Sequence, residues 1–327
     1  MELLRLVGRR MIQLVVVLIL VSFFSFSLIR LLPGDVTQVI IPFGTDEQRE
    51  VLRKDLGLDK SFFAQYGDYL GNLVQGDLGK QYNSGRPVKQ LVEQSLPVSL
   101  QLMIYAQLIA LLVAIPLGVV AAYRAGTRLD RGINTTAFAF LSLPNFVIAF
   151  VFSYFIGAEL KWLPTSGYAP GWMDQLFASD RTFDFEHIKF MILPSLTLAL
   201  GQIAIYMRLL RSDMIATLQE NFITMAKAKG VSNKRILWRH ALRPSSLTLL
   251  TVAGLNVGTL IGGAVVVEVI YGIPGMGKQI TTAIFAKEFV ELQSYIIVIA
   301  VLFVLINFAI DFLYAVLDPR IRRARAA

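Results

Sequence analysis

A chain of 327 residues that is 55% hydrophobic and 17% charged, with a mean hydropathy of +0.60, is too apolar for a soluble protein with several cores, so a bilayer is its expected solvent. Its 31 Lys+Arg against 23 Asp+Glu leave a formal charge of +8, yet no nucleic-acid-binding pattern accompanies the basic residues, which divide by loop instead. The absence of cysteine excludes disulfides and thiolate chemistry, and with only His187 and His240 a histidine-rich metal site is excluded too.

Arg9 and Arg10 precede an apolar run over residues 11–29, whose nineteen residues at 1.5 Å each cover about 28 Å, close to the ~30 Å hydrocarbon core. The run is longer than a signal-peptide core and leads into Arg-Leu-Leu-Pro-Gly-Asp rather than a small-residue cleavage site, so it predicts a retained first span. Residues 32–97 form a long polar segment that serves either as a surface receiving a partner or as a passive lid.

Further spans are predicted over 100–123, with Pro116 and Gly118 inside, over 133–156, with Pro144 and Asn145, and over 191–210. A basic turn, Arg124 to Arg131, separates the second and third, and a loop with Asp174, Asp180, Asp184 and Glu186 separates the third and fourth. The fifth span, 245–270, carries Gly254, Gly258 and Gly262 at four-residue spacing, a small-residue stripe that allows close helix packing against this chain or another subunit. The sixth, 295–317, contains Asp311 and ends before Asp318-Pro-Arg and a basic tail. With both termini, 124–131 and 208–243 on the cytoplasmic side, and Asp311 counted at the inner end of its span, that side holds 18 of the 31 basic residues and 6 of the 23 acidic ones. The positive-inside rule expects this asymmetry, and six spans with cytoplasmic ends satisfy it.

Between the fourth and fifth spans lies Asn221 to Pro244, NFITMAKAKGVSNKRILWRHALRP. Its pattern predicts two short helices broken at Gly230, with Ser232 as the second N-cap. Phe222, Met225 and Ala226 share one face of the first helix. In the second, Leu237 pairs with Ala241 and Trp238 with Leu242. Lys227, Lys229, Lys234, Arg235, Arg239 and Arg243 exclude this stretch from hydrocarbon.

Thr224, Met225, Ala226, Lys227, Ala228, Lys229 and Gly230 resemble the EAA coupling loop of ABC importer permeases, and the run on to Arg235, His240 and Pro244 is similar to the dipeptide, oligopeptide and nickel branch. Asp55-Leu-Gly-Leu-Asp59, Gly76-Asp-Leu-Gly79, residues 265–278 and the C-terminal Asp318-Pro-Arg resemble the same branch in the same order. The resemblance implies an all-α type I importer fold in the plasma membrane of a bacterium or archaeon. It also implies a non-catalytic permease that works with a second homologous permease, two ATP-binding subunits and an external substrate-binding protein. ATP and magnesium would belong to those partner subunits, with no cofactor on this chain, and the cargo would be a peptide, a nickel chelate or another small solute. From another class, the rival is an autonomous gradient-driven carrier, but no self-similar halves or buried charge pairs are evident.

Gly272 to Lys278 also fits G-x-x-x-x-G-K, but Gln279 replaces the magnesium-binding Ser or Thr and no parallel strand precedes it, so the stretch is expected to be the turn leaving the fifth span. Glu268 and Asp311 are the carboxylates nearest hydrocarbon: either part of a gate or polar contact, or close enough to the interfaces to be solvated. Gln107, Asn145, Gln202, Asn256 and Asn307 are amides able to line a peptide pathway or to bond between helices.

Overall fold

The computed structural model describes residues 2–30, 37–38, 41, 43–55, 57–174 and 186–317. Among them no strand occurs beyond an isolated bridge between Lys80 and Pro87. The helices are α1 (Glu2–Arg30), α2 (Asp46–Asp55), α3 (Phe62–Val74), α4 (Val88–Tyr123), α5 (Arg128–Ser142), α6 (Asn145–Phe152), α7 (Glu186–Leu218), α8 (Asn221–Ala228), α9 (Asn233–Arg235), α10 (Leu242–Leu255), α11 (Val257–Tyr271), α12 (Met276–Ala286) and α13 (Phe289–Leu317). Wider π turns extend α6 over Ser153–Glu159 and join α9 to α10 over Ile236–Ala241.

Three of these, α4, α7 and α13, are each long and apolar enough to cross a bilayer, and two bent pairs raise the number to five. The first predicted span falls on α1, whose apolar stretch, Ile12–Ser27, is shorter than these. Two spans expected to be single helices are broken. The third bends by 103° between α5 and α6, because Pro144 has no N–H to continue a helix and holds Leu143 extended at ψ 130°. The fifth bends by 47° at Asn256, between α10 and α11. The expected turn after the fifth span is also shorter than predicted, since α12 begins at Met276.

The chain divides into two compact units, Met1–Leu96 with Lys278–Phe308 and Pro97–Gly277 with Ala309–Ala327. In the first, the aromatic end of α1 packs on α3. Phe26 stacks on Tyr69 at 5.3 Å, Phe23 meets Tyr66 edge-on at 5.5 Å, and Ser22 Oγ lies 2.8 Å from the Tyr66 hydroxyl. The irregular stretch between α3 and α4 lies on the start of α13. Gly79, at φ +76°, leaves no room for a Cβ, which would fall 2.6 Å from Val290. The buried Glu288 carboxylate accepts the backbone N–H groups of Tyr82 (2.7 Å) and Asn83 (2.8 Å), and Gln81 Nε2 donates to Glu291 at 2.6 Å.

In the second unit α4, α7 and α10 enclose the apolar core. Ala110, Ala114, Ala121 and Ala122 of α4 face Ile203, Tyr206, Met207 and Leu210 of α7, with Leu249 and Ala253 from α10. Gly118 lets α7 approach α4 so closely that a Cβ there would sit 3.1 Å from the Met207 carbonyl. Pro97, Pro116 and Pro194 lie inside α4 and α7 without ending them.

Replacing Glu288 by Ala removes the buried acceptor of two backbone N–H groups, a loss of about 1 kcal/mol or more. The thermal midpoint of the detergent-purified protein is expected to fall, while Glu288→Gln, which keeps only one of the two accepting oxygens, recovers part of the loss.

Candidate functional site: a basic elbow and a broken helix

The elbow between α7 and α10 is held from beneath and open above. α8 ends in a Schellman motif: Gly230, at φ +73°, donates to the Lys227 carbonyl (2.9 Å) and Val231 to that of Ala226 (3.1 Å). Nothing lies within 4 Å of a Cβ built on Gly230, so the backbone angle, not space, requires glycine. Ser232 occupies the N-cap position of α9, but its side chain makes no cap bond; its carbonyl accepts from Ile236 N at 3.0 Å.

Ile223, Ile236, Leu237 and Ala241 are buried and join the core cluster of α4, α7 and α10. The predicted stripe of Phe222, Met225 and Ala226 is therefore not the seated face: Phe222 and Met225 are exposed, as is Trp238, and Ile223 supplies the anchor. Thr224, Lys227, Ala228, Lys229, Gly230 and Arg235 are exposed as well, while Ala226 and His240 are half-buried. The base of the elbow is closed by Thr217 Oγ1 and Ser245 Oγ at 2.9 Å, and Asn233 Nδ2 donates to the Tyr123 hydroxyl at the end of α4 (3.4 Å).

A bidentate ion pair fixes the neighbouring turn. Arg211 of α7 donates through Nε and an Nη to the two Asp130 oxygens at 2.6 and 2.7 Å, and Gly126 N and Asn134 Nδ2 complete the carboxylate's bonds at 2.9 and 2.8 Å. Asp130 is buried and Arg211 about a quarter exposed, so one carboxylate joins the turn, α5 and α7. Sequence reasoning passed over it, although Asp130 is the lone acid in a basic turn.

Around the break at Asn256 the structure collects three of the predicted amides. The Ala253 carbonyl, one turn before the bend, accepts from Gln107 Nε2 (3.3 Å) and the buried Tyr206 hydroxyl (3.4 Å). Across the bend Asn256 Nδ2 donates to Gln202 Oε1 (3.1 Å), and Gln202 Nε2 donates to Thr259 Oγ1 (3.2 Å). Asn307 instead bonds to the Phe303 carbonyl of its own helix, and the Asp311 side chain lies outside the described residues. Asn145 stands at the start of α6 beside Gly263, where a Cβ would lie 3.2 Å from Nδ2.

Two glycines of the predicted stripe differ in their surroundings: a Cβ on Gly254 would meet Ile310 at 2.6 Å, whereas Gly262 faces open space and close packing is found at its neighbour Gly263. Glu268 is fully buried and accepts from Ser99 Oγ at 2.6 Å; the same oxygen accepts Met276 N at 2.8 Å. Gly275 and Gly277 press against this carboxylate: Cβ atoms there would fall 2.4 and 2.9 Å from its atoms. The glycine run thus wraps an acid of its own chain. Tyr271 adds a hydroxyl that lies 3.0 Å from Thr197 Oγ1 and donates to the Ala149 carbonyl at 3.2 Å.

Asp174, in the acidic loop between the third and fourth spans, is a knot: Gln101 Nε2 and Gly171 N each donate to it at 2.7 Å, and the Tyr168 hydroxyl donates to the same oxygen. Burial, then the bond to Asp174, push that phenol well above its usual range, so it remains a donor at physiological pH. Asp180 and Asp184 lie outside the described residues.

An all-helical membrane permease with an elbow of this kind is the class the geometry defines. Residues 114–323 match the family described as binding-protein-dependent transport system inner membrane component, and residues 3–103 match its N-terminal companion. The chain belongs to this family and is a multi-pass protein of the inner membrane. It is 35% identical to the di/tripeptide transport system permease protein DppB of Pseudomonas aeruginosa, over 98% of this chain and 99% of that one. It is also 35% identical to the oligopeptide transport system permease protein AppB of Bacillus subtilis, over 96% and 98%. A putative peptide transport system permease of Brucella abortus is 36% identical over 97% and 98%. Among solved structures, an inward-facing MetNI methionine ABC transporter chain shares the fold, with a TM-score of 0.56, 15% identity, and coverage of 70% of this chain and 97% of that one.

Two outcomes follow from the geometry. Asp130→Ala strands a guanidinium in a largely buried place at a cost of about 3 kcal/mol, so purified protein should melt earlier and lose protease resistance at the 124–131 turn. Gly275→Ala puts a methyl group into the Glu268 carboxylate, and cysteine labelling near Met276 should rise while the elbow's labelling pattern stays unchanged.

Proposed function

We propose that this chain forms half of the translocation pathway of an ATP-driven importer whose cargo is a dipeptide or short oligopeptide, delivered by an external binding protein. A second, homologous permease would complete the pathway, and two ATPase subunits, holding the ATP and magnesium, would dock on the two elbows. The cargo class is supported by the names of the full-length relatives, and the ATPase contact by the elbow's two-sided construction.

The observation that carries this reading is the contrast between the elbow's faces. On one side Ile223, Ile236, Leu237 and Ala241 are part of the core; Phe222, Met225 and Trp238 are exposed, as are the Lys and Arg residues of the same stretch. An apolar patch with a polar rim suits a protein groove, not lipid. A push on that surface is delivered through closely packed side chains to α7 and α10, because such packing transmits displacement. From α10 it reaches the bend at Asn256, beyond which Gln202, Asn256 and Thr259 offer amide and hydroxyl groups suited to a peptide backbone.

Gly230→Val forces a β-branched residue into a left-handed conformation and should disrupt the Schellman turn. Uptake of a labelled dipeptide by cells carrying the full transporter is expected to fall to background while the variant still inserts in the membrane. Cysteines at Met225 and Trp238 should crosslink to the ATPase and be protected from reagents added outside. Normal uptake by the valine variant, or labelling of these positions from outside, would exclude the elbow as the coupling element.

A further inference from the structure

A groove in the second unit is used by none of this machinery. It is enclosed by α4, α5 and α7, has a volume of about 550 Å³, and is lined by Val113, Leu117, Ile133, Ala137, Phe140 and Ile203 among others. Its size falls within the range of small-molecule sites, and its walls are almost entirely hydrocarbon. The polar side chains are Thr136 and, as the one charge, Arg128, at the N-terminal end of the α5 wall.

Length and charge select the occupant. From Arg128 to Phe140 the groove follows twelve residues of α5, about 18 Å of helix, which matches one leaflet of a ~30 Å hydrocarbon core and not the whole bilayer. The end at Arg128 abuts the basic turn, where Arg131 follows one helical turn later and Arg124 lies just before. Asp130, the one acid there, has its charge engaged by Arg211. Arg128 and Arg131 are exposed and make no ion pair among the described residues. A slot of one-leaflet depth, apolar along its length and cationic at its mouth, complements an acyl chain attached to a phosphate. It does not suit a free apolar helix, which would leave the arginines uncompensated, nor a soluble anion, which would leave the walls dry.

We propose that the groove binds an anionic phospholipid of the phosphatidylglycerol type, with one acyl chain along α5 and its phosphate on Arg128, in the field of Arg131. Such a lipid would pack against Met207 and Ala204 of α7, on the helix that leads into the elbow, so bound lipid would brace that helix from the membrane side.

The test is native mass spectrometry of the full-length protein, purified with whatever subunits accompany it from nanodiscs containing equal phosphatidylglycerol and phosphatidylcholine. One phosphatidylglycerol per chain is expected to survive washing that strips bulk lipid. Arg128→Gln should lower its retention about fivefold, the effect of one basic residue near a membrane surface, while Lys89→Gln, which removes the same charge elsewhere, should not. Gly132 lines the groove with open space where its Cβ would be, so Gly132→Leu should fill the slot and expel the lipid without strain. Retention in Arg128→Gln equal to that of the unsubstituted protein would overturn the proposal, whether or not the leucine variant folds. So would equal retention of phosphatidylcholine, which would mark the groove as ordinary annular surface. Loss of an accompanying permease in Gly132→Leu, with no lipid retained by the unsubstituted protein, would mark it as a seat for a helix instead.

Discussion

A helix that breaks inside hydrocarbon must find partners for the backbone groups it releases, since no water is present to take them, and much of this structure follows from that requirement. At Asn256 the fifth span bends by 47°, and the carbonyl one turn earlier is taken up by Gln107 and Tyr206 from two other helices. Asn256, Gln202 and Thr259 bridge the bend itself. These amides thus make a break permanent at low cost, and a permanent break is a place where two helix halves can be reoriented without losing backbone bonds.

The elbow solves the opposite problem. In the coupling role proposed for it, it has to be stiff on the side that pushes and adaptable on the side that is pushed. Burial of Ile223 and Leu237 in the core, closure of its base by Thr217 and Ser245, and the bond from Asn233 to Tyr123 give the stiffness. Exposed Met225 and Trp238 among long basic side chains give a surface that can repack, since Met is flexible and charged stems lie along apolar area. The Asp130–Arg211 pair beside it shows the same economy: a buried carboxylate with four donors holds a turn and two helices in one register.

Membrane residence and the position of the elbow were legible because each depends on local composition. Hydropathy over about twenty residues marks a span, Lys and Arg mark a cytoplasmic loop, and Gly230 marks a left-handed turn whatever surrounds it. Gly272, at φ +69°, was legible as the turn after the fifth span, while the packing of Gly275 and Gly277 on Glu268 was not, since a glycine's neighbour across a fold leaves no local trace.

What the sequence determined by itself, then, is where this chain meets lipid, where it meets water, and which stretch bends sharply between them. Tertiary structure alone decided that Ile223 and not the Phe222–Met225 pair is seated, that Gly254 is close-packed while Gly262 is not, and that Gln107 and Gln202 serve a bend while Asn307 serves its own helix. The reason is physical: solvation and backbone preference act on residues one at a time, whereas the partner of a buried amide or of a missing side chain is chosen by helices far apart in the chain.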